Sequence, residues 1–252
     1  MLTVQMVYDF IHERAPFDQQ EPYDNAGLLV GDPRWEVQGI HVALDVTDAV
    51  ITEAIDRGAN LIVTHHPLMF SARKRLVETD YEAQLLCRMI RHRIALIAAH
   101  TNLDRAPGGI NDVLASVCGL RDVTGEGFVR VGALAEPTTA RQLADELSHR
   151  LHTVVRLMGA EDAPVTHLGM CSGSGGEEWS ATAQLGANAF LTGECKHHIA
   201  LEAAASGVVM LEAGHFATEL PGIFALADAL QIHLNAVQYG VCVSKSEAPA
   251  YA

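Results

Sequence analysis

Apolar and polar positions follow two periods along this chain. Residues 3–14 set Met6, Val7, Phe10 and Ile11 on one face, which predicts an amphipathic helix that stops before Pro16. "GIHVALDV" (39–46) has the pattern of a strand, and "TDAVITEAIDRGAN" (47–60) that of a helix with Thr47 as N-cap and Gly58 near its end. "LIVT" (61–64) and "IALIAA" (94–99) are apolar at nearly every position, as parallel strands covered on both faces are. The segment between them, "YEAQLLCRMIRHR" (81–93), reads as a helix, and "EPYDNAGLLVGDP" (21–33) as a turn-rich stretch. The second half repeats the alternation. A helix over 139–151 opens with Thr139 and Gln142 spaced as a capping box. Strands come next at 166–171, 189–192 and 207–213, the first running into "SGSGG" (172–176). A helix over 217–230 is started or interrupted by Pro221, a long strand over 232–243 closes the pattern, and the tail from 244 reads as frayed. Strand and helix alternate throughout, so the predicted class is α/β.

Two stretches echo two others in the same order. "RGANLIVTHH" (57–66) matches "LGANAFLTGE" (185–194), and "IALIAAHTNLD" (94–104) matches "VVMLEAGHFATE" (208–219). Each member of the second pair is an apolar strand followed by His-x-x-x-carboxylate. The repetition predicts two pseudo-duplicated α/β lobes, 1–125 and 126–252, with an approximate boundary and room for the lobes to intertwine. A metal site is expected between strand ends, because ligands of open α/β sheets bind outside the carboxyl ends of strands.

Composition narrows the chemistry. The 252 residues are 49% hydrophobic, enough for a sizeable core, and the formal net charge is −14. That balance argues against a nucleic-acid partner, which needs a basic face, and against an anionic membrane surface. No apolar run approaches a spanning helix, and the N-terminus lacks the pattern of an export signal. The five cysteines are odd in number and scattered, without C-x-x-C, which fits a reducing, cytoplasmic setting and argues against a thiolate zinc site. With 13 histidines and 31 acidic residues, any metal is expected on nitrogen and oxygen ligands.

The candidate ligands are His65, His66, Asp104, His215 and Glu219. Neighbours on an extended backbone point to opposite sides, so His65 and His66 suit two separate ions rather than one. A pair of ions about 3.5–4 Å apart needs a bridge, and Glu219 has two oxygens to offer. His215 and Glu219 are spaced to share one helix face. His12, His92, His149, His152 and His233 read as ordinary surface or hydrogen-bonded histidines. His100, Glu194 and His198 are candidates for lining the site. Lys74 and Arg75, in "SARKRL" (71–76), either hold substrate phosphates or belong to a solvated loop. "SGSGG" is either an anion cradle or a turn. Cys195 has no base placed beside it and reads as structural.

"YDNAGLLVG" (23–31), "THHPLMF" (64–70), "KRL" (74–76), "HTNLD" (100–104), "LTGECKHH" (191–198) and "GHFATE" (214–219) together resemble the Nif-three-like dinuclear-metal family. Its bacterial members are often called type 2 GTP cyclohydrolase I homologues. The resemblance spans almost the whole chain. It implies a two-lobed α/β protomer, a toroidal homohexamer and two divalent metal ions per chain. His65 and His215 would serve one ion, His66 and Asp104 the other, with Glu219 bridging. Zn²⁺, Fe²⁺, Mn²⁺, Co²⁺ and Ni²⁺ all suit three imidazoles and two carboxylates. The implied activity is metal-assisted hydrolysis of a small molecule, a nucleotide in the candidate case, by opening the imidazole ring of GTP. A two-metal phosphoesterase and a non-catalytic hexameric scaffold or regulator are the other readings of the same site.

Overall fold

Short, wholly apolar strands are stable only where helices cover both their faces, and that requirement organises this chain. The computed structural model describes residues 1–248. In order, the elements are α1 (Val4–Arg14), β1 (Gly27–Val30), β2 (Ile40–Ala43), α2 (Asp48–Asp56), β3 (Leu61–Thr64), α3 (Tyr81–Arg91), β4 (Ala95–Ala98), α4 (Thr101–Arg105) and α5 (Ile110–Val117). They continue with β5 (Arg121–Thr124), β6 (Arg130–Thr139), α6 (Ala140–Arg150), β7 (Arg156–Met158), β8 (Pro164–Cys171), α7 (Trp179–Gln184), β9 (Ala189–Thr192), α8 (His197–Ala205), β10 (Val209–Glu212), α9 (His215–Ala236) and β11 (Val243–Lys245). The class is α/β, in two compact units: Met1–Pro107 with Ile223–Ala252, and Gly108–Gly222. The sequence pattern placed one boundary near residue 125. In the structure the chain enters the second unit at Gly108 and returns to the first at Ile223, partway along α9.

The first unit holds a five-stranded sheet in the order β1-β4-β3-β2-β11. β2, β3, β4 and β11 run parallel, and β1 pairs with β4 antiparallel. Every residue of β2, β3 and β4 is buried. Val50 and Ile51 of α2 and Leu85, Leu86 and Met89 of α3 pack with Ile62 and Leu96 in one apolar cluster. Thr47 caps α2 through Val50 N, as its position predicted. Ala43, Thr64 and Ala98 lie abreast, so β2, β3 and β4 finish at the same edge.

The second unit holds a six-stranded sheet in the order β5-β6-β8-β9-β10-β7, with β8, β9 and β10 parallel. Leu143 and Leu147 of α6 pack with Leu168, Met170, Leu191 and Leu211. The Thr139–Gln142 capping box forms. Cys171, Thr192 and Glu212 lie abreast at the end of the parallel strands.

The echo in sequence recurs bond for bond. Ala95 N donates to Asn60 O and Val209 N to Asn188 O. Ala99 N donates to Thr64 O, and Ala213 N to Thr192 O. Asn60 and Asn188 each use the side-chain oxygen to receive a backbone N–H from the neighbouring strand side, Gln38 just before β2 and Thr166 within β8.

Three expectations are corrected. Residues 232–243 are not one strand: α9 continues to Ala236, because Leu226, Leu230 and Leu234 recur at helical spacing and are buried, whereas Ile232 is exposed. The tail is not frayed from 244, since β11 pairs with β2 and Ser246 N donates to Val42 O. Residues 249–252 of that tail lie outside the described residues. The turn-rich 21–33 stretch contains β1, whose Gly27 and Gly31 adopt positive φ at the two ends of the strand. No helix among the described residues is long and apolar enough to cross a membrane.

Candidate functional site

In the first unit, the chain leaves β3 directly into His65 and His66, and leaves β4 through Ala99 into His100. Because the two strands end abreast, three imidazoles meet. One ring nitrogen of each of His65, His66 and His100 lies within 4.8 Å of the other two, a grouping able to hold a metal ion. Asp104 comes from α4, one turn after His100, and its Oδ1 lies 3.4 Å from His65 Nε2.

The outer nitrogen of each ring is held. His65 Nδ1 is 2.8 Å from the carbonyl oxygen of Ala99, His66 Nδ1 is 2.7 Å from Asp45 Oδ1, and His100 Nδ1 is 2.8 Å from Asp24 Oδ1. A carbonyl or an ionised carboxylate can only accept, so each Nδ1 carries a proton and Nε2 is the ring nitrogen left to serve as a ligand. Asp24 is itself held in place. Burial pushes its carboxyl up, but hydrogen bonds from His100 and from Thr101 outweigh this and bring it to about 2. Its Oδ2 also accepts from Thr101 N at 3.0 Å.

The second unit builds a related group from different positions. His215 is the first residue of α9 and Glu219 lies one turn on, so His215 Nε2 and Glu219 Oε2 stand 3.1 Å apart. His215 Nδ1 donates to Glu194 Oε1 at 2.8 Å, and Ser174 Oγ donates to Glu194 Oε2 at 2.7 Å. The Ser174 bond and the His215 bond, working against partial burial, hold the Glu194 carboxyl below its usual range. Gly173, at φ +58°, passes so close to the pair that a Cβ there would press on Glu219 Oε1 and lie 3.2 Å from His215 Nε2.

In "SGSGG", Ser172 N donates to Asn111 Oδ1 and Gly173 N to Thr218 Oγ1, so these two N–H groups are taken up within the second unit. Glu194 was expected to line the site and holds His215. His198, the other residue expected there, is exposed on α8. Lys74 and Arg75 are exposed beyond Arg73, which pairs with Asp80 and Glu82. Cys195 donates to Lys196 O, and burial raises its thiol pKa, as befits a structural thiol. A cavity of about 370 Å³ opens beside Glu194, lined by Glu177, Cys195, Lys196 and Glu212 among others. Sequence reasoning missed Asp24, Asp45 and Gly173.

The arrangement fits a metal. Protein ligands to metals routinely donate the far ring N–H to a carboxylate or carbonyl, which orients the ring and strengthens the ligating nitrogen. All four imidazoles obey that rule, His65 through a carbonyl and the other three through carboxylates.

Residues 2–249 match the family described as Duf34/NIF3 (NGG1p interacting factor 3). A protein of Clostridium acetobutylicum called GTP cyclohydrolase 1 type 2 homolog is 29% identical over 99% of this chain and 98% of its own length. The crystal structure of Staphylococcus aureus protein SA1388 superposes with a TM-score of 0.93 at 27% identity, covering 99% of this chain and 97% of that one. A Bacillus cereus protein related to NIF3 shares the fold, with a TM-score of 0.94 at 20% identity over 99% of this chain and 98% of that one.

Proposed function

The chain belongs to the Duf34/NIF3 family, and from that premise we propose that it is a metal-dependent hydrolase in which His65, His66, Asp104, His215 and Glu219 hold two divalent ions. The observation that carries this reading is the fixing of Nδ1 on all three imidazoles of that set, by the Ala99 carbonyl, Asp45 and Glu194, as metal-ligating histidines are held. The approach of Asp104 to His65 supports pairing those two on one ion, in place of the His66–Asp104 pairing that the resemblance implied. Glu219, whose Oε2 lies 3.1 Å from His215 Nε2, would serve as the carboxylate shared by the two ions.

When bound, such ions act as Lewis acids that activate water and polarise an electrophilic carbon. The protein's part is positional. Asp45 and Glu194 fix the rings of His66 and His215, and Gly173 leaves room for the Glu219 carboxylate. His100 is locked by Asp24 through Nδ1, which fixes the orientation of its ring beside His65 and His66. The candidate substrate is GTP, opened at its imidazole ring, in keeping with the name of the Clostridium acetobutylicum relative. The assembly proposed is a homohexamer, for which light scattering should give a mass near about six chains.

The test is elemental analysis joined to a turnover screen. Protein purified without chelator should carry two ions per chain, and Glu219→Gln should lose or loosen both. Metal-loaded protein should release formate from GTP, and His66→Ala should lose most of that rate while Cys195→Ser keeps it. A single ion that persists in Glu219→Gln would sink the bridging role. Absence of formate, ammonia and phosphate release from every nucleotide and phosphodiester offered would sink the hydrolase.

A further inference from the structure

Two of the motifs read from the sequence end on aromatic residues that the hydrolase reading does not use. Tyr23 is the first residue of "YDNAGLLVG" and Phe70 the last of "THHPLMF". They are 47 positions apart in the chain, and their ring centroids lie 6.3 Å apart at an angle of 45°. Phe70 also stands edge-on to His100, with centroids 6.2 Å apart and an interplanar angle of 80°. Tyr23, Phe70 and His100 thus make a corner of three rings beside the imidazole cluster of the first unit.

Both aromatic side chains face solvent, Tyr23 at 63% and Phe70 at 49% exposure. Exposed aromatic rings on flexible loops would need no explanation, but these are held. Leu68 and Met69, just before Phe70, pack on the first unit's apolar core. Asn25 Nδ2 donates to Met69 O at 2.5 Å, tying the Tyr23 loop to the Phe70 loop. Asp24, between Tyr23 and Asn25, is anchored by His100 and Thr101, and Ala26 N donates to Gln20 Oε1 at 2.7 Å. The backbone around Tyr23 and that leading into Phe70 are held while the rings themselves stay uncovered. Rigid aromatic groups left open next to convergent polar atoms are the usual lining of a small-molecule site.

We propose that Tyr23 and Phe70 form a ring-stacking subsite that receives a planar heteroaromatic ring and presents it to the His65–His66–His100 cluster. The inference rests on the reading of that cluster as the reacting centre, and it specifies the substrate class. The 45° tilt decides the geometry of binding. The two rings are too close for a third to slide between them as a sandwich, which needs about 7 Å. Instead a flat ring lies face-on to one wall and edge-on to the other, the arrangement aromatic groups prefer. A saturated sugar or an alkyl chain has no such face and gains only area. Stacking on an exposed aromatic is also tolerant of ring identity, so the subsite selects flatness and leaves the exocyclic groups to be read by the polar atoms around it.

Binding is measured by calorimetry on the whole protein, metal-loaded and chelator-treated, with guanosine, adenosine and uridine as flat probes and ribose 5-phosphate as the non-aromatic one. At least one nucleoside should bind wild type, and Tyr23→Ala and Phe70→Ala should each weaken it by about tenfold. Tyr23→Phe and Phe70→Tyr should keep affinity within about twofold, and ribose 5-phosphate should not respond to any of the four. Both alanine variants should keep the wild-type metal content and thermal midpoint, because neither ring is part of the core. Failure of all three nucleosides to bind, or unchanged binding in the double alanine variant, overturns the subsite. Loss of binding together with loss of metal also overturns it, since the rings would then be propping the cluster. A shift in oligomer mass without nucleoside binding overturns it as well, and would assign the rings to a contact between copies. If nucleosides bind as expected but no metal is found, the subsite stands and the hydrolase reading falls.

Discussion

The two units build the same frame and finish it in opposite ways. β3 and β9 begin from equivalent asparagines, and the bonds that join β3 to β4 recur between β9 and β10. In that register His65 and His66 correspond to Gly193 and Glu194, and His100 to Gly214, one residue before His215. The first unit therefore takes two imidazoles from the end of β3. The second takes its imidazole from the end of β10 and uses the end of β9 only to hold it, through Glu194. Gly193 shows why the swap is enforced: a Cβ there would lie 2.6 Å from Gly173 O and 2.8 Å from His215 Cα. The frame consists of backbone bonds and is indifferent to the side chains beyond each strand. Those side chains carry the chemistry, and they diverge wherever crowding demands.

The sharpest way to break this comparison is steric. Gly193→Ala and Gly173→Ala should each cost about 3 kcal/mol, as overpacked positions do, seen as a lowered denaturation midpoint. Gly58→Ala is the control, since φ is positive there but nothing stands within 4 Å of the added carbon; it should cost only about 1 kcal/mol. Equal effects at all three positions would mean that crowding does not distinguish the second unit.

The next test asks whether the holding carboxylates are equivalent. Asp45→Asn and Glu194→Gln should each weaken metal binding by about 10- to 100-fold in a chelator competition. A response to Asp45→Asn alone would leave Glu194 as surface chemistry with no part in holding a ligand.

Acid sensitivity probes a group found only in the first unit. The Asp24 carboxyl titrates near 2 when folded, against 3.8 for the ordinary carboxyl. A depressed folded value stabilises the native state above the unfolded pKa and is lost as pH falls through the folded one. Asp24 should thus contribute about 2 kcal/mol that disappears between about pH 4 and pH 2. Asp24→Asn should flatten that part of the stability-against-pH curve in urea titrations. The smallest effect expected is at the frame of the second unit, where Thr139→Ala should cost about 1 kcal/mol by removing the cap on α6.

Much of the frame could be read from sequence because its signals are local. β3, β4, β9 and β10 are short apolar runs, and Thr47 and Thr139 stand where caps belong. His65, His66 and the His215–Glu219 spacing are local as well. The strands missed were β1, β5, β7 and β11 at sheet edges, and β6. β5 is exposed at all four residues and β6 carries its buried and exposed residues in runs, so burial left no alternating trace in them. The end of α9 was mistaken for a strand because exposed Ile232 and Val237 blur the helical spacing of its buried leucines. Asp24 and Asp45 lay out of reach for another reason. Their imidazoles are 76 and 21 residues away, and a carboxylate that serves a distant ring looks like any other acidic residue. Gly173 had a signal, a glycine turn directly after a buried strand, but not the knowledge that a carboxylate would occupy the space of its missing side chain.

The pairing of β11 with β2 sets a timetable. Val243 lies beside Ile40, so the first unit's sheet is joined across some two hundred residues of chain. The second unit, by contrast, is made from one continuous stretch, Gly108–Gly222. During synthesis it can therefore fold as soon as that stretch has left the ribosome. The first unit, although it starts first, must wait for the last residues to arrive, holding β2 as an open edge until then. A chain cut off near residue 235 and tethered to the ribosome by a linker long enough to clear the exit tunnel should accordingly resist protease over its middle and be cut within its first hundred residues.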